Sequence, residues 1–109
     1  METINMNEVI TDMLAAMKSS VSHHWKEIKE SMQQFLAARK ARFELLAELR
    51  ISGELSQEHF ESRLQDEKLI AEAEMQALEV ISKAMAQNAA NAAIDIFQKA
   101  VGAAIKTVL

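Results

Sequence analysis

Apolar residues recur at steps of three and four along most of the chain, which is the spacing of an amphipathic helix. In the first half they are Met6, Val9, Ile10, Met13, Leu14, Met17, Val21, Trp25, Ile28, Met32, Phe35, Leu36, Phe43, Leu46 and Leu49. Neither proline nor glycine occurs between residues 6 and 50. The pattern predicts one long helix over residues 3–51. We expect a bend near Ser19, Ser20 and Ser22, where hydroxyls compete for backbone carbonyls.

A tight turn is predicted by the stretch RISGELSQEHF, residues 50–60. Gly53 suits the left-handed conformation that ends a helix, and Ser56 suits the N-cap of the next one. Leu55 and Phe60 have the spacing of a hydrophobic staple. We therefore expect a turn at 52–56 and a second helix over 57–107. Its apolar stripe contains Phe60, Leu64, Ala71, Met75, Leu78, Ile81, Met85, Ala89, Ile96, Phe97, Ala100, Ala104 and Val108.

Two helices of about 70 Å each, joined by a short turn, must lie antiparallel. The sequence thus predicts an all-α fold with one domain over 1–109, a long coiled-coil-like helical hairpin. The apolar arcs are wider than one seam, so we expect two hairpins to dimerise into a four-helix bundle. A monomeric hairpin with exposed alanine is the alternative. The predicted oligomer or partner surface consists of Met6, Ile10, Met13, Met17, Val21, Ile94, Phe97, Val101 and Ile105.

Composition narrows the class of protein. The chain has 109 residues, a formal net charge of −4 and no cysteine, which excludes disulfides and thiolate chemistry. An acidic chain is not expected to bind nucleic acid. No basic segment followed by an apolar run indicates a signal peptide, and no apolar run is long enough to span a membrane. The cytoplasm is the expected compartment. Secretion without a signal peptide and association with a virion are the alternatives.

Charged residues suggest two further features. Arg39 and Glu67 interrupt the two apolar stripes at the same height above the turn, which predicts an interhelical ion pair that fixes register. Acidic residues are concentrated in residues 54–79. They form a solvated face attracted to the basic residues of 39–50, or an acidic tip that docks a basic partner. The residues of this tip are Glu54, Glu58, Glu61 and Asp66.

Candidate chemistry is sparse. His23 and Glu27 lie four residues apart, so they share one helical face and make a weak candidate for half of a metal site. No Glu-x-x-His pair accompanies them, and solvent-exposed histidines are the favoured interpretation. No nucleophile–base set and no Gly-rich phosphate loop can be assembled. The sequence therefore predicts a protein that is not an enzyme and that holds no cofactor.

The alanine-rich run at 84–93 indicates either a closely packed helix or a groove for a partner peptide. A peripheral membrane contact by residues 90–109 is a further alternative. In size and cysteine-free composition the chain resembles small secreted helical hairpins and the subunits of type III secretion needles. It lacks the Trp-x-Gly turn of the former and the proline-containing turn of the latter, so no residue roles are transferred.

The leading hypothesis is a non-enzymatic module for protein–protein interaction or self-assembly, with a homodimer as the favoured state and a separate protein partner as an option. A secreted or phage-borne effector or inhibitor, or a secretion-system component, whose acidic tip binds a basic partner is the alternative. A metal-binding helical bundle is the second alternative.

Overall fold

The computed structural model describes the backbone of residues 4–108 and the side chains of residues 4–107. Within this range the chain is all-helical and contains no strand, so the predicted fold class is confirmed. A single 3₁₀ turn, Ser22–His24, separates the first two of the α-helices. The α-helices are α1 (Met6–Val21), α2 (Trp25–Ile51), α3 (Gln57–Ala77) and α4 (Lys83–Val108).

The predicted first helix is interrupted at Ser22. This residue has φ 54° and ψ −123°, which no helix accommodates, although its N–H still donates to the carbonyl of Lys18. One turn earlier, the Ser20 hydroxyl donates to the carbonyl of Ala16 at 3.1 Å. The bend expected at these serines is therefore confirmed, but the break is complete and α1 packs back against α2. The prediction of a single helix over residues 3–51 was therefore wrong. Residue 3, where that helix was predicted to begin, lies outside the described range.

The turn between α2 and α3 has the predicted caps. Gly53 adopts φ 87°, and the N–H of Leu55 reaches back to the carbonyl of Leu49 at 2.9 Å. Ser56 has extended backbone angles, and its hydroxyl accepts a hydrogen bond from the N–H of His59 at 3.2 Å. Phe60 is buried. Local chemistry alone determines this turn, which is why the sequence predicted it correctly.

A second interruption divides the predicted helix over 57–107. Glu79 follows the end of α3 with φ 57°, the left-handed conformation that closes a helix. Ser82 then accepts a hydrogen bond from the N–H of Met85 at 3.1 Å and caps α4. The apolar stripe hides this break, because Leu78 and Ile81 keep the helical spacing and neither residue is a helix breaker.

The four helices form a short bundle instead of a rod. Its dimensions are 42 × 24 × 20 Å, whereas a straight hairpin with helices of the predicted length would extend about 70 Å. Helix α4 packs against α1 on one side and α3 on the other. The start of α1 lies beside the end of α4, so these two helices are antiparallel. The long hairpin was wrong because both predicted helices fold back at their interruptions.

Three phenylalanines link α2, α3 and α4 at the centre of the bundle. The ring centroid of Phe97 lies 4.9 Å from that of Phe43 and 6.2 Å from that of Phe60, in tilted arrangements. All three side chains are almost completely buried. Aromatic pairs at these separations stabilise a core beyond the burial of their area. Phe97 is therefore the side chain on which the packing of the other two helices converges.

The alanine-rich run lies inside this packing. Ala86, Ala89, Ala90 and Ala93 are all fully buried on the faces of α4 that meet its neighbours. Small side chains let the helix axes approach closely, so the run serves contacts within the chain. This arrangement corresponds to the closely packed helix of the sequence analysis.

Replacing Phe97 by alanine should lower the free energy of unfolding by about 3–5 kcal/mol, because a buried aromatic side chain is lost and a cavity is left. Urea unfolding followed by circular dichroism at 222 nm measures this loss. Leu45→Ala is the matched control, since Leu45 is about half exposed and its truncation should cost less than about 0.5 kcal/mol. Equal losses for the two variants would contradict the central position of Phe97.

Candidate interaction site

The predicted oligomer surface is part of the core of a single chain. Seven of its nine residues are buried, and the other two, Ile10 and Ile105, are half-buried against the core. The reason is the break at Ser22, which folds α1 onto α4 so that these apolar faces cover each other. These faces are therefore not exposed in the single chain, and their role as an oligomer or partner surface stays a prediction. The buried members are Met6, Met13, Met17, Val21, Ile94, Phe97 and Val101.

Arg39 and Glu67 form an ion pair between α2 and α3. Nη2 of Arg39 lies 2.7 Å and 2.9 Å from the two carboxylate oxygens of Glu67, and Nε of Arg39 donates at 3.1 Å. The guanidinium carbon also lies 5.8 Å from the ring centroid of Phe35, at the outer limit of a cation–π contact. The sequence thus located this pair correctly, while its role in fixing register stays a prediction.

Arg42 completes the cluster, a contact that was not predicted from the sequence. Its Nε donates to Oε1 of Glu67 at 2.7 Å. The sequence does contain an indication of this contact, because Arg42 lies three residues after Arg39 and hence on the same face of α2. The side chain of Glu67 is only 1% exposed, whereas those of Arg39 and Arg42 are 23% and 44% exposed. A buried carboxylate is therefore bound by two cations that each keep some contact with water.

The large apolar side chains exposed in the described residues lie on α2 and α3. Leu45 is 51% exposed, Leu69 is 55% exposed and Ile70 is 39% exposed. Leu45 lies one helical turn beyond Arg42, and Ile70 lies one turn beyond Glu67. Since Arg42 and Glu67 touch across the antiparallel hairpin, Leu45 lies about one turn from this contact toward the α2–α3 turn, and Ile70 lies about one turn from it in the opposite direction. Exposed Ala38, Ala41 and Ala73 extend the apolar area.

We name this area the outer hairpin face. It comprises Ala38, Ala41, Arg42 and Leu45 of α2, and Asp66, Leu69, Ile70 and Ala73 of α3. Apolar residues that stand next to one another on a surface, with charges at the rim, are typical of sites where proteins associate. The basic residues of this hairpin are concentrated on α2, and acidic residues predominate on α3.

The acidic residues of the predicted tip are all exposed, but they do not form one cluster. Glu54, Glu58 and Glu61 lie in or near the α2–α3 turn. Oε2 of Glu61 accepts a hydrogen bond from the side-chain amide of Gln57 at 3.2 Å. Asp66 lies about 12 Å further along α3 than Glu58 and belongs to the outer hairpin face. The structure therefore assigns three of the four residues to the tip.

The histidines lie at the break between α1 and α2. His23 and Glu27 are both exposed, and the Nδ1 of His24 lies 3.8 Å from Oε1 of Glu27. The rings of His23 and His24 are tilted by 36° to each other, with centroids 4.3 Å apart. Among the described residues no group of three potential ligands is close enough to hold a metal ion. We therefore propose no metal site here.

An open groove of about 280 Å³ lies between the start of α1 and the end of α4. Glu8 and Asp12 give its α1 side a negative charge, while small residues such as Ala103 line its α4 side. It contains no pairing of an acid, a base and a nucleophile that would support catalysis. The residues that line this groove identify the parts of α1 and α4 that face each other.

No family model matches this chain, and no curated protein or solved structure is significantly similar to it. None of the helices in the described part of the chain has the length and apolar character needed to cross a membrane. The biochemical role is accordingly inferred from the surface and the packing of the molecule.

Loss of Arg39 should destabilise the protein more than loss of Arg42. Arg39→Met leaves the buried carboxylate of Glu67 with fewer charged donors and should cost about 2–3 kcal/mol of unfolding free energy. Arg42→Met removes a half-exposed partner and should cost about 1 kcal/mol or less. Urea denaturation measures both.

A double-mutant cycle separates the charge from the packing. Glu67→Met should recover most of the stability lost in the Arg39→Met variant, because no buried charge then needs a partner. Additive losses in the double variant would contradict the interpretation of the cluster as a coupled unit.

Proposed function

We propose that this protein is a non-enzymatic self-assembly module, and that two copies dimerise by packing their outer hairpin faces together. The observation that supports this proposal is the exposure of Leu45, Leu69 and Ile70 on one hairpin. Among the residues whose side chains are described, the other large apolar side chains are buried or partly buried. Association would remove these side chains from water at about 25 cal/mol per Å² of apolar area.

Charge favours a second copy as the partner. A twofold axis parallel to the hairpin places α2 of one copy against α3 of the other, with the two helices antiparallel. This axis preserves height along the hairpin, so Arg42 of one copy lies at about the height of Asp66 of the other, and these are the two charged residues of the outer hairpin face. The four helices of the two hairpins would then pack face to face, as in a four-helix bundle. This is the four-helix dimer of the sequence analysis, built on a different surface.

The structural role of the buried Glu67 carboxylate agrees with a protein that is not an enzyme. Glu67 is the buried charged residue of the described side chains, and its carboxylate is bound by two arginines that hold α2 to α3. A carboxylate engaged in this way serves structure, because both of its oxygens are already accepting hydrogen bonds.

A second candidate function rests on the tip. Glu54, Glu58 and Glu61 are exposed at the end of the hairpin, although Arg50 also reaches this turn, where its Nε donates to Oε1 of Gln57 at 2.9 Å. Such a cluster would attract a basic protein surface and accelerate its association. Under this alternative the molecule acts as an effector or inhibitor, and the outer hairpin face is a secondary feature.

Paired substitutions on the outer hairpin face test the proposed dimer. Leu45→Glu and Leu69→Lys would each place a charge against a helix of the same sign in the partner copy. Together they should raise the dimer dissociation constant at least 100-fold, about 2.7 kcal/mol. Both positions are half exposed, so the fold should be retained. Sedimentation equilibrium measures the dissociation constant, and circular dichroism verifies the fold.

The control is Glu58→Lys with Glu61→Lys at the tip, which should leave the dimer intact. Under the second candidate function, the same control should instead abolish the retention of the protein on an immobilised polylysine surface. A wild-type chain that stays monomeric at several hundred micromolar would refute the proposed dimer.

Salt offers an independent check on the charge pairing. If α2 faces α3 of the second copy, raising sodium chloride from 0.05 to 0.5 M should weaken dimerisation several-fold, because screening shortens the range of the attraction. A dimer strengthened by salt would indicate a purely apolar contact without this orientation.

A further inference from the structure

The junction between α1 and α2 is unusually short and unusually bent. No loop joins the two helices, only the 3₁₀ turn that starts at Ser22. The backbone angles of Ser22, φ 54° and ψ −123°, belong to a region that glycine occupies freely and that a Cβ atom makes unfavourable. Strain at such a residue persists only when surrounding contacts compensate for it.

The sequence across this junction is that of a continuous helix. Met17, Val21, Trp25 and Ile28 follow one another at steps of four, four and three. No glycine or proline interrupts them. A straight helix would keep this stripe on one side and would release the strain at Ser22. What opposes straightening is the contact of α1 with α4, which buries Met13, Met17 and Val21 completely.

A second unfavourable feature lies at the same place. Nδ1 of His24 is buried without a hydrogen-bond partner, and the nearest carboxylate oxygen, on Glu27, is 3.8 Å away. A buried polar atom without a partner destabilises the conformation that encloses it. Both the backbone of Ser22 and the side chain of His24 therefore favour opening of this junction.

The other interruption of the chain does not have these properties. Glu79 also has positive φ, but it follows Leu78, the C-cap of α3, at the position where the left-handed conformation is a regular helix terminator. Ser82 then caps α4. At Ser22 the N–H donates to the carbonyl of Lys18 and the N–H of Trp25 donates to the carbonyl of Ser22, but no side chain caps the 3₁₀ turn or the start of α2.

We propose that two copies of this chain exchange α1. The hinge at Ser22 straightens, α1 and α2 become one helix, and each α1 packs on α4 of the other copy. The contacts that α1 makes with α4 in one chain are made again between chains, and the contacts that α1 makes with α2 are conserved only if each α1 also packs on α2 of the other copy. Short hinges under strain favour such exchange. This association uses α1 and α4 and is independent of the outer hairpin face, though it rests on the same proposed capacity for self-assembly.

Two substitutions at Ser22 test the hinge in opposite directions. Ser22→Gly relieves the strain in the closed chain and weakens the continuous helix, so the dissociation constant of the exchanged dimer should rise about 100-fold, tenfold for each chain. Ser22→Ala favours the continuous helix and should lower the constant. Each protein is refolded from urea at about 1 mM, so that exchange reaches equilibrium, and is then measured by sedimentation equilibrium.

Cross-linking identifies the exchanged contact directly, because the chain has no cysteine of its own. Glu8 and Ala103 line the same groove from α1 and α4. Chains carrying Glu8→Cys are refolded together with chains carrying Ala103→Cys and then oxidised. Exchange should give a disulfide between the two different chains, identified by mass spectrometry, well above the level of dimers linked through two identical cysteines.

The outcomes separate this proposal from the dimer through the outer hairpin face. The Leu45→Glu, Leu69→Lys variant should still give the cross-link between Glu8→Cys and Ala103→Cys chains. A dimer that forms without this cross-link would overturn the exchange and leave the face contact standing. A chain that is monomeric after refolding at about 1 mM, or that responds equally to Ser22→Gly and Ser22→Ala, would also overturn the exchange.

Discussion

The packing of α1 on α4 is the contact on which the rest of this molecule depends. It holds Ser22 in a conformation that the residue would not adopt by itself, and it buries three side chains of α1 completely, Met13, Met17 and Val21. Full burial of each such side chain contributes about 1.5–3 kcal/mol, which exceeds the strain of about 1–3 kcal/mol at a single residue. The shape of the bundle follows from this balance, and so does the location of the surface left uncovered.

Local chemistry made some features predictable. The turn at Gly53 and Ser56 is determined by residues within a few positions of one another, so its caps could be identified without knowledge of the fold. The pair of Arg39 and Glu67 could be located because an antiparallel turn fixes which residues lie at equal height. The prediction depended only on the α2–α3 hairpin, which the structure contains. The same reasoning would have included Arg42 had its position one turn later been considered.

The remaining features depend on contacts between distant segments. The wide apolar arcs of α1 and α4 showed correctly that each helix needs more than one neighbour. They did not show that the neighbour belongs to the same chain. Ser22 and Glu79 are not residues that usually mark a helix break, and Leu78 and Ile81 continue the apolar spacing through the second one. Tertiary packing overrides helix propensity at both places. For that reason the sequence predicted a long hairpin where the structure has a short bundle.

The composition of the core has a chemical consequence. Met13 and Met17 have no exposed surface while α1 lies on α4, so an oxidant reaches their sulfur atoms only when that contact opens. Oxidation would turn flexible apolar side chains into polar sulfoxides, which no longer fit the α4 face. Each opening under oxidising conditions would thus carry a chance of damage that lasts until the sulfoxide is reduced. The extent of oxidation of Met13 and Met17 would therefore reflect how often α1 separates from α4. Reduction of the sulfoxides is needed to restore both side chains.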